Sequence, residues 1–383
     1  MPSSAPSTPT RTPQKKKKVS WSPDVVERSR PPAVGLVCTL KDASKRLDSF
    51  IRYHQRVGFA RIYLYFDDAS ETADIEAARG YADVEVIVRD DALAAAWANL
   101  PGWAALKDYV QDDVQVRQML NALHCLRRAE ARDRLQWLVH VDSDELFDPG
   151  ARSIHDHFRY LEASRFDWFC YHNFEAVPEV AYQTEVDPFL TVSLFKRAAC
   201  LVPDAAKAVS ETWRARNFGI DPFLFYANGK TAVRCGVGAC PVSVFARVEK
   251  ILTFIASARW RLTPQVHAWG RKDPLRGGTN DPRHGALALD ASVACRVLHY
   301  ACCSFAQLRR KYETLGAFPN SCVAGTVHHE PDTFHCKCRD AFLTGGPPAL
   351  AALFERCVVL DDVREARRGI EAGVLERVRI AKF

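Results

Sequence analysis

The chain has 383 residues, 48% of them hydrophobic. That is enough to bury a large core, which excludes disorder throughout, a collagen-like repeat and a short disulfide-stapled scaffold. The formal net charge is +6, but residues 1–30 hold seven Lys/Arg against two Asp/Glu and so carry +5 of it, leaving +1 for residues 31–383. A body so close to neutral is not that of a dedicated nucleic-acid binder.

From Met1 to Pro32 the chain is mostly Ser, Thr, Pro and Lys; with so little to bury, it reads as a disordered basic tail. Lys15–Lys18 is a solvated charge run or an anionic-surface patch, and Lys17-Lys18-Val19-Ser20-Trp21 resembles the docking motif for protein phosphatase 1, with Val19 and Trp21 as its anchors. The start lacks a hydrophobic signal core and no apolar stretch reaches the ~18 residues of a membrane span, so a cytoplasmic location is expected. The alternative is a secretory membrane location with the true start missing. Thirteen scattered cysteines, an odd number, fit mostly reduced, buried thiols.

Residues 33–40 (AVGLVCTL) form an apolar run suited to a strand buried on both faces. A helix capped by Ser44 then places Leu47, Phe50, Ile51, His54 and Val57 on one face and ends at Gly58. A strand at 60–66, a short helix stopped at Gly80 and a strand at 84–90 complete β-α-β-α-β, the pattern of a parallel sheet with right-handed crossovers. Pro101 and Gly102 break the next helical region, and a helix carrying Val116, Met119, Leu120 and Leu123 on one face leads to a fourth strand at 136–141. Beyond Pro149 short apolar runs alternate with Pro, Gly and Asn, as in α+β elaboration, and residues 350–379 read as one or two helices. The expected domains are the tail (1–32), an α/β body with a mostly parallel central sheet (33–320) and a C-terminal helical extension (321–383).

Asp142, Ser143, Asp144 and Glu145 follow the fourth strand, at the carboxyl end where open α/β sheets bind ligands. In extended backbone Asp142 and Asp144 face the same way, and two hard oxygen donors so placed suit Mg²⁺ or Mn²⁺ shared with a diphosphate.

The segment Arg46-Leu47-Asp48-Ser49-Phe50-Ile51-Arg52-Tyr53-His54 with Gly58-Phe59 and IYLYFDDAS, the phrase Gln136-Trp137-Leu138 running into Asp142-Ser143-Asp144-Glu145-Leu146, Gly229-Lys230-Thr231-Ala232-Val233-Arg234 with Val266-His267, and His299-Tyr300 with Ser304 and Lys311 stand in an order that resembles the family 92 glycosyltransferases and their family 2 relatives. The resemblance covers about residues 34–316 and implies a GT-A fold, a nucleotide-sugar donor with uridine as the expected nucleotide, Mn²⁺ or Mg²⁺, and inverting hexosyl transfer to a hydroxyl of a glycan, protein or small-molecule acceptor. On that likeness Asp67 or Asp68 lies near the nucleoside, Asp142 and Asp144 hold metal and diphosphate, and His299, with His267 in reserve, completes the metal shell. The chain departs from the family at Lys41-Asp42, at Leu146, and at Cys303, where a lysine is frequent; Lys311 or Arg309 is the substitute phosphate contact.

Inverting transfer needs a carboxylate to take the acceptor proton; Glu175 is the first candidate and Asp281, in GGTNDPRHG, the second, each open to an ordinary loop or capping role. Lys230 and Arg234 are candidate diphosphate clamps or strand-rim cations, without the preceding glycines of a P-loop. His328, His329, Glu330, His335, Cys336 and Cys338 form a possible zinc set, against which stands the single residue between the cysteines. Two other readings stay open. One is a catalytically inactive GT-A-fold scaffold working through the basic tail. The other, an aspartate-based phosphatase, is opposed by a first strand that ends CTLKD.

Overall fold

The computed structural model describes residues 31–380 apart from 44, 102, 165, 167, 198–200, 226–228, 237–239, 243–267, 271–294, 319–320, 323–326 and 329–331. The tail with its phosphatase-docking phrase, Ser44, Gly102, His267, Asp281, His329 and Glu330 lie outside the described residues.

The βα alternation is laid down as β1 (Val34–Leu40), α1 (Leu47–Val57), β2 (Arg61–Phe66), α2 (Thr72–Arg79), β3 (Val84–Val88), α3 (Asp91–Ala98), α4 (Val114–Ala131) and β4 (Trp137–His140). Every residue of β1 is buried, as its unbroken apolar run requires. Gly58 ends α1 at φ 106°, in the left-handed region that glycine adopts without penalty. Asp113 caps α4 by accepting from the backbone N–H of Gln115 and Val116.

The chain continues through β5 (Glu145–Asp148), α5 (Ile154–Ala163), β6 (Trp168–Tyr171), β7 (Asn173–Ala176), β8 (Leu194–Lys196), α6 (Lys207–Arg216), β9 (Lys230–Arg234), the ladder of β10 (Cys240–Val242) with β11 (Ala268–Gly270), β12 (Arg296–His299) and α7 (Phe305–Leu315). A second ladder joins β13 (Ser321–Cys322) to β14 (Val327–His328), followed by α8 (Phe334–Leu353), α9 (Val363–Glu371) and β15 (Leu375–Arg377).

The expectation of one mostly parallel sheet gives way to two mixed sheets. The first has the order β3-β2-β1-β4-β9-β6; β1 to β4 run parallel, and β9 runs against both its neighbours, β4 and β6. The second has the order β15-β8-β7-β12-β5, with β7 and β12 its parallel pair. On one face of the first sheet Leu36 and Leu64 pack with Phe50, Ile51 and Phe158; on the other Val37 and Tyr65 pack with Trp97, Leu120 and Leu126.

His54 ties α1 to the second sheet: its Nδ1 lies 2.9 Å from the Phe50 carbonyl and its Nε2 accepts from the Phe147 amide at 3.2 Å. Residues 31–383 form one compact unit, and the C-terminal segment, expected to be helical, returns through β15 to pair with β8. A three-residue strand is too short to show an alternating pattern in sequence. Among the described residues no single helix is long and apolar enough to cross a membrane, and none of their His, Cys, Asp and Glu form a group of three able to hold a metal ion. At the described members of the possible zinc set, Cys336 and Cys338 are buried free thiols in α8, and the His335 ring lies 2.9 Å from the Tyr312 hydroxyl.

Candidate functional site

The chain leaves the carboxyl end of β4 and turns at once, because the Asp142 carbonyl accepts from the Glu145 amide at 3.1 Å. This replaces the extended backbone expected for 142–144, and the two aspartates go to different partners. Arg46, just ahead of α1, fixes the turn from outside: its Nε donates to the Ser143 carbonyl at 2.8 Å and its Nη2 to the Ser143 hydroxyl at 3.1 Å.

Asp142 belongs to a lysine cluster. Lys230 Nζ stands 2.5 Å from Asp142 Oδ2 and 3.4 Å from Glu145 Oε2, and Gln118 donates to Asp142 Oδ1 at 3.2 Å. Lys230 is fully buried, and its place depends on Gly229 at φ 77°: a Cβ there would meet the Tyr171 carbonyl oxygen at 2.0 Å. Burial pulls the Lys230 ammonium down, but the charges of Asp142, Glu145 and Asp144 outweigh it and hold the group above its ordinary value. Burial pushes the Glu145 carboxyl up, against the pull of Lys230. His140, buried beside them, is pushed down to about 4 by burial and then by the Lys230 charge.

Asp144 faces His299 instead, with Oδ2 3.7 Å from Nε2. Burial raises the Asp144 carboxyl, but His299, then Arg46 and Lys311, hold it below the usual carboxylate range. The buried His299 is shifted the opposite way: burial lowers it, and Asp144, Glu145 and Glu175 raise it above an ordinary histidine. Lys311, from α7, sits with Nζ 5.1 Å above the Phe225 ring, which meets the His299 ring edge-on at 6.0 Å.

The second sheet lines up four buried polar side chains in register. Glu145 pairs across the strands with His299, His299 with Glu175, and Glu175 with Lys196. Direct cross-strand partners share a face, so negative and positive groups alternate along one row.

Glu175 is fully engaged there: Lys196 Nζ is 3.1 Å away, and the amides of Leu224 and Phe225 each donate to Oε2 at 2.9 Å. Those bonds fix the loop that presents Phe225 and engage both carboxylate oxygens, an arrangement unlike the free carboxylate expected of a base. Asp67 is likewise taken up, in a buried fork with Arg117 at 2.6 and 2.7 Å. Asp68 accepts from the backbone and hydroxyl of Ser70. Arg234 is opposite Trp137 at the start of β4, so antiparallel pairing carries it to the wrong end of the strand for a clamp.

The structure thus brings together Asp142, Asp144, Lys230, His299 and Lys311, and adds Arg46, Gln118 and Lys196. Arg46 was visible as the first residue of the family-like phrase; Lys196, 21 residues from Glu175, had no local signal.

No family model matches the chain, and no curated protein matches it. Among solved structures it is similar to HddC from Yersinia pseudotuberculosis, at 11% identity and TM-score 0.21 over 38% of this chain and 58% of that one. It is also similar to mouse xyloside xylosyltransferase 1 in its apo form, at 12% identity and TM-score 0.25 over 53% of this chain and 66% of that one. The chain therefore spans less than two thirds of either structure, and likenesses of this size carry no weight for its activity.

Proposed function

We propose that the chain is a metal-dependent glycosyltransferase of the GT-A type, moving a sugar from a nucleotide-sugar donor, with uridine as the first nucleotide to test, to a hydroxyl of a glycan, protein or small-molecule acceptor. One observation carries this reading. At the carboxyl end of β4, where α/β sheets bind ligands, Asp144 and His299 stand together with Lys311 and Arg46 as cationic neighbours.

The donors fit Mn²⁺ or Mg²⁺ at Asp144 and His299. Their 3.7 Å separation is longer than a hydrogen bond yet short enough for one ion to touch both, and a carboxylate with an imidazole suits Mn²⁺ in particular. Asp142 fits less well, since the Lys230 ammonium already occupies its Oδ2. When bound, the metal supplies Lewis-acid stabilisation to the departing diphosphate.

The remaining work falls to the chain itself. Arg46 holds the turn so that Asp144 keeps its aim, and the Lys230 ammonium, shared between Asp142 and Glu145, offsets part of the charge of three carboxylates in one corner. Lys311 offers the positive charge toward the diphosphate that Cys303 does not: Cys303 is buried, with 1% of its surface exposed. Of the two acids after β2, this reading assigns the nucleoside contact to Asp68, since Asp67 is bound to Arg117. Transfer is then a single displacement with inversion, in which the acceptor oxygen attacks the anomeric carbon and the nucleoside diphosphate leaves. With Glu175 bonded to Lys196 and two backbone amides, this reading takes Asp281, the second candidate from the sequence, as its base.

The test is calorimetric titration of UDP, then GDP, with Mn²⁺ or with EDTA, into wild type and Asp144→Ala. Metal-dependent binding abolished by the substitution is expected. Failure of both nucleotides under every metal condition would overturn the catalytic reading and return attention to a scaffold acting through residues 1–32.

A further inference from the structure

On the opposite face of the second sheet a cleft of about 530 Å³ opens, walled by Arg197, Arg296, Arg377, Arg379, Asp148 and Glu376. Strand alternation puts it there: Asp148 is three residues beyond Glu145 on β5, and Arg296 three before His299 on β12, so both point away from the buried row. Positive charge is in excess by one even after Glu179, behind Arg377, is counted with the two wall carboxylates.

The carboxylates orient the guanidiniums without exhausting them. Glu376 Oε2 takes Nε and Nη2 of Arg197 at 3.0 and 2.7 Å, which leaves Nη1. Asp148 takes Nε of Arg296 at 2.8 Å and Glu376 Oε1 takes its Nη1 at 2.6 Å, which leaves Nη2. Arg296 is also stacked 4.7 Å over the Phe174 ring. Arg379 is exposed and has no ion-pair partner among the described residues. Fixed forks with spare N–H groups are what bidentate recognition of phosphate uses. The volume is that of a small-molecule site, larger than one phosphate needs, and Phe174, Leu201 and Val378 line it as well, matching a ligand with an uncharged body.

We infer that this cleft is a second binding site, for a phosphate-bearing small molecule, separate from the acidic loop and independent of the function proposed for that loop. The ligand's phosphate meets Arg379 together with the unused N–H groups of Arg197 and Arg296, and its body lies against Phe174 and Val378.

The test is titration of inorganic pyrophosphate into the full chain in EDTA at fixed ionic strength. The variants are Arg379→Glu, Arg377→Ala, Asp144→Ala, and a chain with Lys15–Lys18 changed to alanine. Arg379 is exposed and unpaired among the described residues, so its substitution should leave the thermal midpoint unchanged. Saturable binding weakened at least tenfold by Arg379→Glu, and unchanged by Asp144→Ala and by the tail variant, is the expected result. Binding lost with Asp144→Ala belongs to the acidic loop, and binding lost with the tail variant belongs to residues 15–18; either outcome, or no saturable binding at all, overturns the proposal.

Discussion

The two faces of the five-stranded sheet carry the same device in opposite settings. On one face Glu145, His299, Glu175 and Lys196 alternate in sign and are all at least nine-tenths buried. On the other, Asp148, Arg296, Glu376 and Arg197 are linked in alternation, with side chains 14 to 32% exposed. Removed from water, the first row is held by charge pairing and by the donors around Glu175, and it acts as a frame that carries His299 beside Asp144, with His299 Nδ1 buried and without a hydrogen-bond partner among the described residues. The second row keeps part of its donors in solvent and can exchange water for a ligand. A charge pattern alone does not tell a frame from a site; exposure decides.

The comparison breaks first where the buried frame loses one partner. Lys196→Met leaves the Glu175 carboxylate buried with only its two amide donors, and the loss of one member of a buried pair costs about 3–5 kcal/mol. Urea unfolding should show that loss, and the double variant Glu175→Gln with Lys196→Met should recover part of it. Equal losses in the single and double variants would mean that Lys196 contributes packing and not charge.

Next in size is acid sensitivity on the buried side. His54 and His157 are each pushed down to about 3 by burial, so the folded chain stays neutral where the unfolded chain protonates. Their effect on stability is nil above the ordinary histidine value of 6.5 and grows as pH falls from there toward 3. At about 1.4 kcal/mol per pH unit, each histidine removes about 2 kcal/mol at pH 5. His54→Gln should therefore lose less stability between pH 7 and pH 5 than wild type does. Equal losses from urea unfolding at the two pH values would refute this account of His54.

These groups also mark how far the sequence could be read. β1 and β2 were legible because burial demands apolar runs, β3 by its apolar residues on a half-buried edge strand, and Gly58 because it ends its helix in the left-handed region. Asp142 and Asp144 were legible as a pair by their place after an apolar strand. Their divergence was not, since it rests on a turn closed by the Glu145 amide and held by Arg46, 97 residues away from Ser143 in the chain. Glu175 with Lys196 and Asp67 with Arg117 lie 21 and 50 residues apart in the chain; only strand register and helix packing join them, and neither leaves a local pattern. The cleft was invisible for the same reason, its charged walls being drawn from β5, β12, β15 and Arg197 just after β8.

The smallest effect is expected on the open face. Burial raises the Glu376 carboxyl, but Arg296 and Arg197 hold it below its ordinary value. Its contribution is therefore complete above the normal carboxylate range and fades as pH falls through it. With Arg197 32% and Glu376 26% exposed, solvent screens the pair, and Arg197→Ala should cost less than about 1 kcal/mol near neutral pH. Added salt should shrink even that difference. A loss as large as that of Lys196→Met would make this row a second frame, with its guanidiniums committed to Glu376 and no donor left for a phosphate.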